Sequence, residues 1–518
     1  MPRFRTSVIA AITLAVIAVA GGRQTLSGSQ APLVVTHGIA SGDVTATSAV
    51  VWARASGRAR MHVEIATNAA MAGAKSGGNA QASEETDFTA QVTVTGLQPD
   101  TRYWYRVWLA GAGGRGRSDV SESPIGTFRT PPDAGQSQAV TFVVGADVGG
   151  QRFCRNVATG GYSIFASMAA LAPDFFIANG DMIYADGDCP AEGPDGPGGW
   201  ENIPGDFPSI ADPSVDWTDV AQVREVFLRH WRYNRADPYL QSFLRSTSMY
   251  SQWDDHEVIN DFGAPWTYWN SANIGRAGYP NLVAQGLDTF FAYSPIDRLA
   301  GDPQRIYRSF RWGRDVELFI LDARSYRDRN ELPDTPENDK DMLGREQIAW
   351  LVDGIARSSA TWKIVASDVP ISIGTGSAAF GRDAWANIGV EPTGFERELL
   401  RMLAQLDAVN AENVVFVTTD VHHSQTIAYD TDADGDGDRL VLHELVSGPL
   451  NAVRNAAKRQ DQLDPAAHPT SLFGAGGLFN FNFVRVARQA DGKVHLMADV
   501  RNEAGLPLPG SLLDLTPR

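Results

Sequence analysis

The sequence predicts an α/β fold preceded by a β-sandwich module, and three observations carry that expectation. Short β-rich stretches separated by Gly, Asp and Ser fill the chain from about Val34 to Thr130. From Val140 onward, apolar strand-like runs alternate with helical patterns, the order of an α/β domain with buried strands. Between them, "TPPDAGQS" (Thr130–Ser137) reads as a linker, because paired prolines and small polar residues disfavour helix and sheet ladder alike. At 518 residues, 43% hydrophobic and 20% charged, the chain has the length of two domains and can bury at least one large core.

At the N-terminus, Arg3 and Arg5 precede an apolar run from Val8 to Ala20 that closes on Ala18-Val19-Ala20, a small-x-small cleavage site. Residues 1–20 therefore read as a signal peptide, and the mature chain as secreted, periplasmic or extracellular. The run is short for a membrane span, so no transmembrane anchor is expected after its removal. Loss of Arg3 and Arg5 leaves 42 basic against 61 acidic residues, moving the formal charge from −17 to −19. That balance attracts neither nucleic acid nor an anionic membrane over long range, and no nucleic-acid-binding signature is present. Two cysteines, Cys154 and Cys189, suggest a disulfide in an exported protein, with two free buried thiols as the alternative.

Within the first module, "SAVVWAR" (Ser48–Arg54), "MHVEIAT" (Met61–Thr67) and "FTAQVTVTGLQPDTRYWYRVWLA" (Phe88–Ala110) are the strand candidates. Alternation in "YWYRVWL" sets Trp104, Arg106 and Trp108 on one face and Tyr103, Tyr105, Val107 and Leu109 on the other, as a sandwich strand requires. "VTGLQPDTRYWYRV" also resembles the fibronectin type III segment in which a tyrosine corner follows a Leu-x-Pro turn. Residues 31–130 are accordingly assigned to a fibronectin-III-like module.

Residues 138–518 form the second unit. Its strand candidates are "VTFVVGAD" (Val140–Asp147), "DFFIANGD" (Asp174–Asp181), "VELFILDAR" (Val316–Arg324), "WKIVASD" (Trp362–Asp368), "NVVFVTTDVHH" (Asn413–His423) and "LVLHELVSG" (Leu440–Gly448). "REQIAWLVDGIA" (Arg345–Ala356) is apolar at 348, 351, 352 and 355, the spacing of an amphipathic helix. Asp147, Asp181, Asp322, Asp368 and the pair Asp420/His422 each close an apolar run. One Asp in such a place is ordinarily a turn or a helix cap. Five in one domain point to a shared site, because strands of an open α/β sheet aim their carboxyl ends at one crevice.

Three clusters sharpen this. "DFFIANGDMIYADGDCP" (Asp174–Pro190) crowds Asp181, Tyr184, Asp186 and Asp188 onto one turn, either a solvated loop or half of a metal site, since carboxylates repel unless a cation lies between them. "QWDDHEVIND" (Gln252–Asp261) packs Asp254, Asp255, His256, Glu257, Asn260 and Asp261 together, with a solvated acidic turn as the alternative. "TTDVHHSQ" (Thr418–Gln425) places Asp420 and His422 on one side of a strand, a chelate of carboxylate and imidazole suited to a divalent or trivalent cation.

Together these clusters resemble the PhoD-type alkaline phosphatases, secreted metallophosphoesterases that include some bacterial phospholipases D. The matching stretches run from "HGIASGDVTATSAVVWAR" (His37–Arg54) through "NGDMIYADG" (Asn179–Gly187), "WDDHEVIND", "LDARSYRDR" (Leu321–Arg329), "LGREQIAWL" (Leu343–Leu351) and "TTDVHH" to "HELVSGPLNA" (His443–Ala452). The resemblance implies a metallophosphoesterase-like β-sandwich flanked by helices. It also implies iron (Fe3+) on Asp181, Tyr184, Asp420 and His422, with Asp181 bridging toward calcium and Asp255 and Asn260 on the calcium side. Two cations about 3.5–4 Å apart lower the pKa of a trapped water and hold phosphoryl oxygens for in-line attack, making a metal-bound hydroxide or oxo group the expected nucleophile. His256 is the candidate for stabilising transition-state charge or protonating the leaving oxygen. Arg324, as a catalytic and substrate-binding group, and Arg327 are candidates for bidentate phosphate contacts, with surface or helix-packing roles as the alternative.

The first strand departs from the family pattern. There the family ends the strand with a Cys whose thiolate binds iron, whereas this chain has Asp147; other metallophosphoesterases use Asp-x-His, but residue 149 is Gly. Asp147 is a harder ligand than thiolate, so manganese or another divalent ion enters as an alternative. "DTDADGDGDRL" (Asp430–Leu440) has calcium-loop spacing but His443 at its twelfth position, and reads as a tight acidic turn between strands. The Gly-, Pro- and acid-rich stretch Ala185–Pro208 reads as a long loop beside the site. The function expected is a secreted, metal-dependent phosphoesterase acting on small phosphate monoesters, diesters or both. Phospholipase D-type action on phospholipid head groups and a calcium-stabilised extracellular binding protein are the alternatives.

Overall fold

The computed structural model describes residues 32–111, 122–196, 198–209, 212–263, 275–377, 381–387 and 392–518, with side chains omitted at 275–279. The signal peptide expected at residues 1–20 lies outside the described residues. Residues 33–518 form one compact unit.

Two sheets pack face to face. The first has nine strands in the order Leu513–Leu515, Val494–Asn502, Asn480–Arg488, Val140–Gly145, Phe175–Asn179, Ser248–Gln252, Val35–Gly42, Ser48–Ala55 and Thr89–Thr95. The second has seven: Arg308–Trp312, Val316–Ile320, Trp362–Ala366, Val414–Thr418, Leu440–Val446, Ser424–Thr431 and Pro469–Ala475. Their central strands are parallel, so each reads as a continuous apolar run with both faces buried. Alternation divides each run between two layers. Phe142, Val144, Phe175 and Ile177 meet Leu318, Ile320, Ile364, Val415 and Val417 between the sheets. Val143, Phe176 and Ala178 face the opposite way, onto helices Ile164–Ala170, Val220–Arg235 and Pro238–Ser246. On the outer side of the second sheet, Gly344–Arg357 buries Ile348, Leu351, Val352 and Ile355, the face its spacing predicts, beside Glu396–Ala408. The result is an α/β arrangement of two packed sheets flanked by helices.

The N-terminal strands make the fibronectin-III-like sandwich. A four-stranded sheet, Lys75–Ala82, Ala59–Ala66, Arg102–Ala110 and Gly126–Arg129, packs on Val35–Gly42, Ser48–Ala55 and Thr89–Thr95 around Val51, Val63, Tyr105, Val107 and Phe128. Along Arg102–Ala110 it is Tyr103, Tyr105, Val107 and Leu109 that are buried. Tyr103 accepts the backbone N–H of Gln98 on its hydroxyl, closing the tyrosine corner. Val35–Gly42 also pairs in parallel with Ser248–Gln252, so the first sheet runs through both parts of the chain.

Candidate metal centre

The strand order brings the carboxyl ends of Val140–Gly145, Phe175–Asn179, Ser248–Gln252 and Val414–Thr418 to one place, and each chain turns sharply on leaving its strand. Asp147 (φ 64°), Asp181 (φ 49°), Asp420 (φ 69°) and His422 (φ 57°) all occupy the left-handed region. Non-glycine residues there cost about 1 kcal/mol or more each, and such strain persists where the surroundings hold it in place.

Asp147, Asp181 and His422 offer ligand atoms within 4.8 Å of one another, as do Asp181, Asp255 and His256, and Asp254, Asp255 and Asp420. Asp181 belongs to two of these groups. Tyr184 Oη stands 2.9 Å from His422 Nε2, and Asp147 Oδ1 lies 3.8 Å from the same nitrogen. Both oxygens of Asp147, and one each of Asp181, Asp254, Asp255 and Asp420, are buried without a hydrogen-bond partner. Burial and mutual repulsion push the Asp147, Asp181 and Asp420 carboxyls well above the usual range, and Asp255 rises to about 6, chiefly through burial. Converging carboxylate oxygens with no donors, beside an imidazole held neutral by burial, fit the donor set of hard and borderline cations.

Two glycines make room for this. A Cβ at Gly150 would meet the Tyr184 ring at 2.4 Å, so the tyrosine covers the backbone just past the position where an Asp-x-His pattern would place its imidazole. A Cβ at Gly448 (φ 98°) would lie 2.2 Å from Asp147 Oδ2. Cys154 and Cys189 are joined as a disulfide, tying the loop after Asp147 to the loop after Asp181. Cys154 is therefore committed and supplies no thiolate to the centre.

His256 packs its ring on Tyr184, with centroids 4.0 Å apart, and bonds Asp186 Oδ1 through Nδ1 at 2.7 Å. Burial alone would lower its pKa, but the charges of Asp186 and Asp255 outweigh it and lift it to about 10. Asn260 donates its backbone N–H to the other Asp186 oxygen and lines the cleft beside His256. That cleft encloses about 490 Å³ and is walled by Gln151, His256, Asn260, Asp261, His422 and Lys458, among others. Its described lining includes no residue of the loop Ala185–Pro208.

Arg324 and Arg327, expected on the phosphate, stand elsewhere. Both guanidinium groups are fully buried: Arg324 binds Asp254, Asp368, Asp383 and the Phe262 carbonyl, and Arg327 binds Asp383 and stacks on Phe395. Clustered buried carboxylates need counter-charges, and these arginines supply them from behind the site. Asp368 is thereby a partner of Arg324. Asp322 accepts Trp253 Nε1 and the backbone N–H groups of Arg324 and Ser325, which makes it a turn cap. "DTDADGDGDRL" joins two antiparallel strands through Asp side chains that accept N–H groups two or three residues on.

Sequence reasoning gave no role to Glu257 or Asp186. The Glu257 carboxylate accepts the backbone N–H groups of Asp181 and Asp254 on Oε2 and of Met182 on Oε1, clipping two ligand-bearing loops together. Its signal was present in "DDHEVIND", but nothing in that string distinguishes a clip from a ligand.

Comparison with known proteins identifies the family and the fold. A family model described as "PhoD-like phosphatase" matches residues 147–484, more than half of the chain, and one described as "PhoD-like phosphatase, N-terminal domain" matches residues 22–132. Alkaline phosphatase D of Bacillus subtilis (strain 168) is 24% identical over 459 residues, covering 83% of this chain and 71% of that protein. The solved structure of PhoD superposes with a TM-score of 0.71 at 21% identity, over 93% of this chain and 88% of that one. Purple acid phosphatase PPD1 from yellow lupin (Lupinus luteus) seeds follows at 0.54 and 12% identity, over 93% of this chain and 74% of that one.

Proposed function

The chain belongs to the PhoD-like phosphatase family, as a metal-dependent phosphoric ester hydrolase, and we propose that it cleaves phosphate monoesters, diesters or both outside the cytosol. The observation that carries the reading is Asp181, whose carboxylate stands in two adjoining groups of ligand atoms and so suits a bridge between two cations. In this proposal Asp147, Asp181, Tyr184, Asp420 and His422 would hold iron, and Asp181, Asp255 and Asn260 would face calcium; an oxygen ligand at Asp147 would also suit manganese. When bound, such a pair supplies Lewis-acid stabilisation of phosphoryl oxygens and a more acidic water.

The protein's own groups do the rest. Asp186 accepts from His256 Nδ1, which fixes the ring and leaves Nε2 to donate toward the leaving oxygen or the charge developing on phosphorus. Glu257 holds the backbone of both the Asp181 and the Asp254 turns, so the ligand carboxylates are set in place before substrate arrives. The disulfide ties the loop after Asp147 to the loop after Asp181. Export is supported by the sequence of residues 1–20 and by the disulfide, which persists in oxidising compartments; no described helix is long and apolar enough to cross a membrane.

Turnover of p-nitrophenyl phosphate and bis-p-nitrophenyl phosphate by the purified mature chain, with and without chelator, tests the reading. Metal-dependent release from either ester is expected. Absence of release from both, in protein of full metal content, overturns it.

A further inference from the structure

With both expected arginines buried behind the carboxylates, side-chain positive charge at the cleft wall beyond His256 has to come from another residue. Among its described lining residues Lys458 is the only lysine or arginine. The rest of the ionisable lining is His256, His422, Asp261 and Asp420. Lys458 is half-buried, and among the described residues its ammonium enters no salt bridge.

Its backbone is held on both sides. Gln425, fully buried, accepts the Lys458 N–H on Oε1 at 3.2 Å and donates Nε2 to the Lys458 carbonyl at 3.0 Å. Gln425 follows the His422–His423 pair on the strand Ser424–Thr431. The segment carrying the lysine is thus tied to the strand that leads out of the metal centre. Asn455, three residues earlier, donates its side-chain amide to the Val421 carbonyl and its backbone N–H to the His422 carbonyl, so the stretch is fixed at more than one point.

We propose that Lys458 is the substrate-binding residue that reads the second negative charge of a phosphate monoester. This rests on the phosphoesterase reading above. A monoester has a second pKa of about 6 and carries two charges at alkaline pH, whereas a diester carries one. A cation carried on this held backbone at the cleft wall therefore favours the dianion by Coulomb attraction over and above what the metal centre offers both substrates. No residue of the metal centre needs to change for the preference to change.

The test compares wild type, Lys458→Met and Lys458→Arg on p-nitrophenyl phosphate and bis-p-nitrophenyl phosphate, with the metals the protein carries as purified. Inorganic phosphate binding, metal content and melting temperature are measured alongside. Lys458→Met is expected to lower kcat/KM for the monoester about tenfold, through KM, and to weaken phosphate binding by a similar factor. The diester should change by less than about threefold, and Lys458→Arg should retain most of the monoester activity. Equal losses on the two esters, an unchanged monoester, or loss of metal in Lys458→Met would each overturn the assignment while leaving the phosphoesterase reading intact. A wild type that turns over neither ester would overturn both.

Discussion

His256 donates through Nδ1 to Asp186 at 2.7 Å, while its other ring nitrogen lies 4.0 Å from Asp255. One carboxylate orients the ring and a second stands beside its free edge, at the wall of the cleft. A ring so held acts in the transition state more than in binding. His256→Ala should therefore lower kcat by about 10²–10⁴-fold with metal content unchanged. Asp186→Asn, which keeps the ring in place but removes the charge, should cost less and shift the alkaline limb of the pH–rate profile downward. Metal loss in His256→Ala, read by elemental analysis, would make the imidazole a ligand instead.

Asp181 carries the second expectation. A bridging carboxylate shared by two cations cannot be replaced by an amide without weakening both. Asp181→Asn should lose activity and metal together, and its melting temperature should fall, because bound metal stabilises the fold by mass action. Glu257→Gln tests the clip. It leaves every ligand in place but turns one oxygen facing backbone N–H groups into a donor, so metal affinity should weaken about 10–100-fold, as for other outer partners of metal ligands. Full metal occupancy with normal melting in Asp181→Asn would remove that residue from the centre.

The convergence of these strand-end side chains was legible in the sequence. Asp147, Asp181, Asp420 and His422 announce themselves because strand-end carboxylates are visible in the apolar pattern, and the left-handed turns they occupy follow from short loops at sheet ends. Arg324 and Arg327 misled for a physical reason. A guanidinium beside acidic motifs serves substrate or protein equally well on sequence grounds, and only the three-dimensional packing of Asp254, Asp368 and Asp383 commits it. Lys458 lay in no motif at all, because its place depends on two hydrogen bonds from Gln425, thirty-three residues away.

His37 predicts a pH dependence remote from the metals. It holds a left-handed backbone (φ 60°), and its Nδ1 is buried without a partner. Burial, then the nearby Arg54 charge, lowers its pKa to about 4, so the ring stays neutral in the fold while an unfolded histidine titrates near 6.5. Between those values the unfolded chain binds more protons, and stability falls as pH drops. At pH 5 the histidine should cost about 1–2 kcal/mol relative to pH 7. Urea midpoints at the two pH values should therefore differ less in His37→Gln than in wild type. An identical pH slope in the two proteins would show that the ring titrates normally.

The last expectation concerns Asp147. Both its oxygens are buried without donors, and Gly448 leaves just enough room for one of them, so the carboxylate faces the centre with nothing else to bind. With Tyr184 beside the same His422 nitrogen, a ferric protein should show a visible tyrosinate-to-iron band that disappears in Tyr184→Phe. An oxygen ligand at Asp147 adds no thiolate contribution to that spectrum and favours hard divalent ions such as manganese or calcium. Asp147→Cys should therefore add a sulfur-to-metal band to an otherwise intact site, since the disulfide already engages both native cysteines and leaves no competing thiol. Asp147→Ala should weaken metal binding. Elemental analysis and absorption spectra of the wild type and these three variants separate the cases: full metal content and activity in Asp147→Ala would reduce Asp147 to a strand-end turn residue and detach the first strand from the centre.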